Sequence, residues 1–376
     1  MRDAPLVLLA AGGTGGHLFP AEALAAALAQ RGVAVELATD ARAVGYGGKF
    51  PARAMHVIPS ATPRGPLGYA KAGAIIAVGG VKAYRLLGKL RPAVVVGFGG
   101  YPSIPAVLAA GLRRIPSLIH EQNGVMGRAN RLLAPRVTAI ATSFAGVVDA
   151  DAALAAKATR TGNPLRPAVL AAIVPYAAPE PNGPLRLLAF GGSQGARIMA
   201  DVVPPAIERL EPALRARVSV VQQARAEDIE RVRMTFARVG VAAEVAPFFL
   251  DLPARIAAAH LVVSRSGAST VAELAALGRP AVLVPLPHAL DQDQLANACV
   301  LEAAGGAILL RQEAFTPERL AREIAALAAD PARLAAMAAG ARSAGAPDAA
   351  ERLADLVMRV AKLSVLDEQD SGGAVV

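Results

Sequence analysis

The sequence predicts an α/β protein with two doubly wound parallel sheets, because three features of the chain agree. A glycine-rich loop occurs twice, as LVLLAAGGTGGH in residues 6–17 and as LRLLAFGGSQGA in residues 185–196. Short apolar runs alternate with alanine-rich stretches along both halves. The length of 376 residues exceeds what one ordinary hydrophobic core supports. We therefore expect two Rossmann-like domains that face a central cleft, with ligands outside the carboxyl ends of the strands.

The order of the apolar runs predicts the elements of each sheet. The first half contains five runs of strand length, at 6–11, 33–38, 94–98, 116–120 and 137–141. The second half contains four, at 185–190, 217–222, 261–264 and 281–285. Helical patterns lie between and after them, at 20–31, 103–113, 196–210, 226–238, 268–277, 292–304 and 349–362. Strands that alternate with helices form βαβ units, and such units build parallel sheets.

A proline-rich stretch over 163–184 predicts the boundary between the domains, because prolines resist both helix and sheet. We expect an N-terminal domain over 1–164 and a C-terminal domain over 165–348. The helix over 349–362 follows and can pack back on the N-terminal domain. Residues 363–376 have the composition of a flexible tail.

Charge and composition restrict the partners. The formal net charge of +9 favours a polyanionic partner, such as phosphorylated small molecules or anionic lipid. Nucleic acid is the weaker choice, because the chain has no Trp and few other aromatic residues to stack on bases. One cysteine, Cys299, and five scattered histidines offer no metal cluster. We predict no required metal and no cofactor.

The first glycine loop, residues 12–17, passes from a strand into a helix. Such a loop directs backbone N–H groups and the positive helix end at one point, which suits a phosphate. A tight turn that binds nothing is about equally favoured for one isolated loop. A dinucleotide fingerprint would place its third glycine at Leu18, although Asp40 is a candidate ribose ligand. His17 begins the helix and is a candidate for proton transfer, with capping or packing as its alternative role.

The second glycine loop, Gly191–Gly195, adds a hydroxyl and an amide to the backbone donors. Arg166 precedes it and can neutralise a departing nucleotide diphosphate, or it is a solvated linker charge. Glu273 lies about one turn into a later helix, where a carboxylate accepts ribose hydroxyls or caps the helix.

Three further motifs end strands or open helices. A third glycine loop covers residues 97–103, and His-Glu-Gln-Asn covers 120–123. Polar residues at these positions belong at a binding edge of the sheet, or they form a capping turn. Asp291 and Asp293 suggest a metal bound to a diphosphate, but capping of the following helix is at least as favoured.

Seven motifs occur along the chain in the order GGTGGH, GFGGYPS, HEQN, TGNPLRP, GGSQGA, SRSGASTVAE and the DQDQ…N segment. In this order they resemble the motifs of the MurG family, the undecaprenyldiphospho-muramoylpentapeptide N-acetylglucosaminyltransferases. Seven weak motifs in register across both halves make a specific pattern. The resemblance implies a fold of the GT-B type, with the nucleotide-sugar donor held mainly by the C-terminal half.

The resemblance also implies the partners and the site. The donor is UDP-N-acetylglucosamine and the acceptor is lipid I, which becomes lipid II. Arg166 and the loop with Gly192, Ser193 and Gln194 are implied to contact the diphosphate. Glu273 is implied at the ribose, the backbone of Phe249 at the uracil and Gln294 at the sugar. The turn that carries the nucleotide comprises Ala268, Ser269, Thr270, Val271, Ala272 and Glu273.

For the acceptor end, the resemblance implies that His17 is the general base and that Glu121 is a second catalytic residue. Further substrate contacts are implied at Thr14, Gly15, Gly16, Tyr101 and Asn123. Two positions depart from the family pattern. Phe249-Leu250-Asp251 replaces an isoleucine followed by two acids, and Asp293 stands where a histidine commonly precedes Gln294.

The stretch over 63–92 predicts contact with an anionic membrane surface. Apolar residues lie among basic ones in this stretch, and the two sets are Ile75, Ile76, Val78 and Val81, and Arg64, Lys71, Lys82, Arg85, Lys89 and Arg91. Apolar side chains rimmed by bases insert shallowly into anionic lipid. An ordinary amphipathic helix is equally favoured by composition. The resemblance implies a peripheral protein at the cytoplasmic face of the inner membrane, with other cell-wall enzymes as further partners.

The expected reaction is an inverting transfer of N-acetylglucosamine by direct displacement. Three alternatives stay open at this point. One is another enzyme acting on UDP-sugars, such as an epimerase or a transferase to a different lipid. Another is an NAD-type oxidoreductase built on the first glycine loop. The last is a non-catalytic nucleotide-binding protein at the membrane.

Overall fold

The chain folds into two compact units, each built on its own parallel sheet. A computed structural model describes residues 4–12, 15–41, 50–62, 65–192, 195–287, 289 and 292–363. The first unit comprises Met1–Gln122, Met126–Pro164 and Asp348–Val376, and the second comprises Asn123–Val125 and Leu165–Pro347. The predicted fold class, with two doubly wound parallel sheets, is confirmed.

The first sheet has seven parallel strands in the order β3-β2-β1-β4-β5-β6-β7. Their bounds are β1 Leu6–Ala10, β2 Ala34–Thr39, β3 Met55–Val57, β4 Val94–Gly97, β5 Ser117–Glu121, β6 Ala139–Thr142 and β7 Ala158–Arg160. Leu9 and Val96 face one core cluster while Leu8 and Val95 face another, so both faces of the sheet are covered. Strands buried on both faces appear in sequence as continuous apolar runs, which explains why five of the seven were predicted.

Among the residues that the structure describes, five helices follow these strands, namely α1 Gly15–Gln30, α2 Gly65–Leu90, α3 Ser103–Leu112, α4 Arg128–Leu133 and α5 Ala152–Ala155. Helix α1 begins at Gly15, five residues before the predicted start, and contains Pro20. His17 therefore lies in its first turn. The proline made the sequence pattern start late, because prolines are rare beyond the first turn of a helix.

The second sheet has six parallel strands in the order β10-β9-β8-β11-β12-β13. Their bounds are β8 Leu185–Phe190, β9 Val218–Gln223, β10 Ala242–Ala246, β11 Leu261–Ser264, β12 Ala281–Leu283 and β13 Ala307–Leu309. Strand β8 pairs with β9 on one side and β11 on the other, so it occupies the same central place as β1 does in the first sheet. The duplicated glycine loops thus follow equivalent strands.

The described part of the second unit contains the next nine helices, which are α6 Pro167–Ala171, α7 Arg197–Glu208, α8 Pro212–Arg215, α9 Ile229–Arg238, α10 Leu252–Ala258, α11 Ala268–Leu277, α12 Asp293–Ala303, α13 Pro317–Ala328 and α14 Pro331–Ser343. Helix α6 corrects the expectation that the proline-rich stretch resists helix. Pro167 is the first residue of α6, where a proline lacks only an N–H that has no helical partner.

The last helix, α15 (Ala349–Ala361), packs in the first unit. Leu353 and Val357 enter the core cluster that contains β1 and α1 residues. Arg31, the residue after α1, forms ion pairs with Glu351 at 2.7 Å and Asp355 at 2.8 Å. Nearly all of the predicted tail, from residue 364 onward, lies outside the described residues.

Among the described residues, no single helix combines the length and apolar composition needed to cross a membrane. Helices α13 and α14 pass that test only as a pair bent by 100°. Both contribute to the core of the second unit, through residues such as Leu320 and Leu334.

Candidate active site

His17 lies where the first glycine loop enters α1, at the carboxyl edge of the first sheet. The loop passes close to its neighbours, because a Cβ at Gly12 would be 3.0 Å from Thr39 Oγ1 and 3.1 Å from Pro102 Cβ. Gly15 opens the helix against the Phe19 ring, and Gly16 is exposed. Thr14, a predicted contact, lies outside the described residues.

The third glycine loop lies beside His17. Gly99 and Gly100 have φ angles of +79° and +68°, which side-chain-bearing residues rarely adopt. A Cβ at Gly100 would stand 3.2 Å from His17 Cδ2 and 3.3 Å from His17 Nε2. Ser103 Oγ donates to Gly100 O at 2.9 Å and fixes the turn, while Tyr101 packs partly buried against the core. The structure therefore brings two predicted glycine loops together.

The end of β5 presents a chain of polar contacts to His17. The His17 Nδ1 and Gln122 Oε1 atoms are 3.3 Å apart. Gln122 Nε2 donates to His120 O at 3.0 Å and lies 3.0 Å from His120 Nδ1. His120 Nε2 lies 2.9 Å from Gly162 O. The sequence indicated the HEQN motif, but it did not single out Gln122 or His120 as functional residues.

Glu121 is buried and its carboxylate organises the turn that follows β5. Its Oε2 accepts from Gly127 N at 3.0 Å and from Asn130 Nδ2 at 2.8 Å. Asn130 also donates to His120 O at 3.1 Å. Three hydrogen bonds among Glu121, Asn130, Gly127 and His120 therefore hold the end of β5 in place.

Asn123 belongs to the second unit, although it is adjacent to Gln122 in sequence. Its Oδ1 accepts from Asn297 Nδ2 at 3.1 Å, and Gly124 N donates to Asn297 Oδ1 at 2.7 Å. Asn297 is fully buried and also donates to Ser266 O at 3.1 Å. Asn297 thus ties residues 123–124 to the loop before α11.

Burial shapes the electrostatics of this turn. His120 is inaccessible to solvent and stacks near Phe98, with ring centroids 5.6 Å apart. This desolvation lowers the pKa of His120 from 6.5 to about 4, against a smaller opposing effect of the hydrogen bond to Gly162. The imidazole therefore stays neutral at physiological pH.

The neutral His120 predicts a pH dependence of stability. Its folded pKa lies below its unfolded value, so its contribution is complete above pH 6.5 and is lost as the pH falls toward 4. This contribution is about 3 kcal/mol. Urea unfolding of His120→Gln between pH 7 and pH 4 should show a shallower loss of stability than the original chain. Parallel pH profiles for the two proteins would contradict this expectation.

The second glycine loop connects β8 to α7 and demands glycine at its first position. A Cβ at Gly191 would lie 2.2 Å from Ala196 N, which no side chain allows. Gly192 has a φ of +88° and open space around its Cα. Gln223, which the sequence did not single out, accepts from Gly191 N at 3.0 Å and donates to Pro247 O at 3.1 Å. Ser193 and Gln194 lie outside the described residues.

Arg166 and Glu273 form an ion pair, with Arg166 Nη2 3.2 Å from Glu273 Oε1. The two residues are 107 positions apart in sequence and were predicted separately. Burial raises the pKa of the Glu273 carboxyl, and Arg166 opposes that rise. Helix α11 begins after Gly267, so Glu273 lies in its interior and does not cap it. Because Arg166 pairs with this buried carboxylate, it is not a solvated charge in the linker.

The first turn of α11 presents donors with no side chain capping them. Its N-cap residue is Gly267, which has no side chain. Ser269 Oγ is buried and has no hydrogen-bond partner among the described residues. The exposed amides of a helix N-terminus attract an anion. Ala268, Thr270, Val271 and Ala272 complete the predicted turn, although Val271 itself is buried in the protein.

Hydrogen bonds tie the first residues of α12 to neighbouring segments. Asp293 Oδ1 accepts from Gln294 N at 2.8 Å, and Gln294 Oε1 accepts from Leu286 N at 3.0 Å. Ser266 Oγ donates to Gln294 O at 2.7 Å, which brings Gln294 next to the loop before α11. The described residues contain no group of three potential metal ligands, and Asp291 lies outside them.

Phe249 lies between β10 and α10, with its side chain 7% exposed. The Arg255 guanidinium stacks over its ring at 4.3 Å from the centroid. The side chain therefore anchors this segment inside the unit.

Comparison with known proteins agrees with this architecture. Residues 7–142 match the glycosyltransferase family 28 N-terminal domain, and residues 186–353 match the glycosyltransferase family 28 C-terminal domain. A crystal structure of Acinetobacter baumannii MurG has a TM-score of 0.77 and 31% identity, covering 94% of this chain and 99% of that one. A UDP-N-acetylglucosamine 2-epimerase, at 15% identity and a TM-score of 0.68 over 96% of both chains, shows the fold alone.

Curated relatives share still more of the sequence. A protein of Rhodopseudomonas palustris (strain BisA53) is 64% identical over 96% of this chain and 97% of its own length. A protein of Bradyrhizobium diazoefficiens is 61% identical over 96% of this chain and 100% of its own. Both are called UDP-N-acetylglucosamine--N-acetylmuramyl-(pentapeptide) pyrophosphoryl-undecaprenol N-acetylglucosamine transferase.

The two sheets and the two matched domains define the class of protein, a glycosyltransferase of family 28. Within that class, the chain belongs to the MurG family of N-acetylglucosamine transferases.

Proposed function

We propose that the chain transfers N-acetylglucosamine from UDP-N-acetylglucosamine to the 4-hydroxyl of the muramoyl sugar of lipid I, which gives lipid II. The observation that carries this proposal is 64% identity, over 96% of the chain, with a relative named for that transfer. Family membership argues against the oxidoreductase alternative, and the Arg166–Glu273 pair suits a nucleotide diphosphate with its ribose.

The second unit binds the donor. The diphosphate lies at the first turn of α11, where backbone amides and the unpartnered Ser269 hydroxyl face it. Arg166 and the loop with Gly192, Ser193 and Gln194 neutralise its charge. Glu273 accepts hydrogen bonds from the ribose hydroxyls, because an ionised carboxylate accepts from two at once. The remaining donor contacts are the Phe249 backbone at the uracil and Gln294 at the sugar.

The reaction is a direct displacement with inversion at C1 of N-acetylglucosamine. The acceptor oxygen forms a bond to C1 as the bond from C1 to the UDP oxygen breaks, and His17 takes the acceptor proton. Arg166 and the loop amides stabilise the charge that grows on UDP. Glu121 completes the catalytic group on the turn next to His17, and the remaining substrate contacts are Thr14, Gly15, Gly16, Tyr101 and Asn123.

A coupled assay of UDP release with a lipid I analogue tests the proposal. Release that requires the analogue, with a disaccharide product, supports the transfer. Formation of a different UDP-sugar without any acceptor would support an epimerase instead, since such enzymes share this fold. Binding of UDP with no turnover of either kind would favour the non-catalytic alternative.

We also propose that α2 contacts an anionic membrane surface. Val78 and Val81 are 62% and 55% exposed and lie one turn apart, beside the exposed Lys82 and Arg85. Ile75 and Ile76 are only half-buried, whereas Arg64 lies outside the described residues. A peripheral location at the cytoplasmic face of the inner membrane, near other cell-wall enzymes, is part of this proposal.

Vesicle cosedimentation checks the membrane proposal. The chain should bind vesicles that contain anionic phospholipid and not purely zwitterionic ones, because each base near such a surface contributes about 1 kcal/mol. The double variant Lys82→Glu, Arg85→Glu should lose most of that binding and keep its affinity for UDP. A matched double variant on α9, Arg233→Glu with Arg238→Glu, should still bind the vesicles. Equal binding by the α2 variant would contradict the proposal.

A further inference from the structure

We propose that Gln122 is a positioning residue that holds the His17 imidazole with its proton on Nδ1 and thereby makes Nε2 the basic nitrogen. The inference rests on the proposed function only where it gives Nε2 a substrate proton to accept. The tautomer itself follows from four contacts in the first unit, which link His17, Gln122, His120 and Gly162.

The orientation of the Gln122 side chain is determined by a backbone carbonyl. Gln122 Nε2 lies 3.0 Å from His120 O, and a carbonyl oxygen only accepts hydrogen bonds. The group that faces it must therefore be the amide NH₂. A flipped amide would place two oxygens against each other in a buried site. Gln122 Oε1 consequently points in the other direction, toward His17.

The same logic determines the tautomer of His120. Its Nε2 lies 2.9 Å from Gly162 O, so Nε2 carries a proton. Burial keeps the pKa of this ring near 4, so the ring is neutral and Nδ1 has a lone pair. Gln122 Nε2, 3.0 Å from that Nδ1, supplies its second hydrogen there. Both amide hydrogens of Gln122 are thus used, and its orientation is fixed from two sides.

Only one arrangement of His17 satisfies the remaining contact. The Gln122 Oε1 atom can only accept, and it lies 3.3 Å from His17 Nδ1. Nδ1 must therefore donate, and in a neutral imidazole the lone pair then belongs to Nε2. The structure records no hydrogen bond to Nε2 from any residue that it describes. Gly100 keeps a side chain away from that nitrogen, since a Cβ would stand 3.3 Å from it.

A neutral amide performs this task differently from a carboxylate. A carboxylate at this distance would orient the ring and also stabilise its protonated form, which reduces the fraction of rings that start deprotonated and able to accept a proton. The amide oxygen orients the ring and adds no full charge. His120 and Gly162 hold the Gln122 amide in place and so position His17 indirectly.

The tautomer is measurable without any turnover. Nitrogen-15 spectra of the full chain, labelled at histidine, distinguish a protonated Nδ1 from a protonated Nε2 by chemical shift. His17→Ala identifies the His17 signals among the five histidines by their disappearance. In the neutral ring we expect a proton on Nδ1 and a bare Nε2. A proton on Nε2 in the original chain would overturn the inference.

A pair of variants tests the effect on catalysis. Gln122→Met removes the acceptor at similar volume, so the His17 signals should shift toward a mixture of tautomers and kcat should fall about 10-fold. The KM for UDP-N-acetylglucosamine should stay unchanged. Gln222→Met is the matched control, because Gln222 is equally buried and donates to Met199 O in the second unit. Its His17 spectrum and kcat should match those of the original chain.

The outcomes separate this inference from the proposed function. Absence of transfer by the original chain would overturn the function and leave the spectrum to decide the tautomer. Full transfer by Gln122→Met, with an unaltered His17 spectrum, would overturn the role of Gln122 and leave the function standing.

Discussion

Replacement of His17 by alanine should lower kcat on the order of 100-fold or more and leave the affinity for UDP unchanged. A positioned general base contributes roughly 100-fold to 10,000-fold to a rate, and the substitution removes that base completely. His17 belongs to the first unit, whereas the proposed UDP contacts belong to the second. Single-turnover kinetics measures the chemical step, and titration calorimetry with UDP measures the binding.

The control for His17 is another histidine of the same unit. His56 is partly buried and lies 2.6 Å from Glu36, at the edge of the sheet where β3 pairs with β2. His56→Ala should keep its kcat close to that of the original chain, because nothing places His56 at a reacting atom. If His17→Ala retained full turnover, His17 would no longer be the base.

Replacement of Glu273 by alanine should weaken UDP binding by about 10-fold to 100-fold, which corresponds to about 1.4 to 3 kcal/mol. Two losses combine in this variant. The ribose loses a charged hydrogen-bond acceptor, and the Arg166 guanidinium loses the carboxylate that lies 3.2 Å from it. Glu273 is only 6% exposed, so water replaces the missing carboxylate poorly. Titration calorimetry with UDP measures the effect.

Two further variants test whether the missing Glu273 carboxylate is what weakens UDP binding. Glu208→Ala breaks the exposed pair of Glu208 with Arg238 and should leave UDP affinity unchanged, because exposed ion pairs contribute little. Glu273→Gln keeps one acceptor oxygen at the site and should bind UDP more tightly than Glu273→Ala does. Normal UDP affinity in Glu273→Ala would refute the ribose assignment.

The two large effects should fall on different kinetic quantities. Loss of His17 should appear in kcat alone, since it removes an interaction made only in the transition state. Loss of Glu273 should appear mainly as a weaker affinity for the donor nucleotide. A shared defect in both quantities for both variants would argue that the substitutions disturb folding instead.

Much of the fold was predictable because both sheets are parallel and covered on both faces. Strands β8 and β11 and helix α11 have the predicted bounds, since continuous apolar runs and a glycine at each helix boundary mark them clearly. Strands β3 and β7 were missed because they have only three residues each and their side chains are at most half-buried. Helix α1 began earlier than predicted because of Pro20.

The sequence by itself determined the two glycine loops, the parallel sheets and the family motifs, because these depend on local residue types and on periodicity. Only the tertiary structure decided which side chains meet. Gln122 contacts His17 across 105 positions, and Arg166 pairs with Glu273 across 107. Neutral amides such as Gln122 and Gln223 carry no local signature. Their roles depend on which acceptor-only carbonyl or ring nitrogen the packed strands bring within hydrogen-bonding distance, and that is a property of the folded chain.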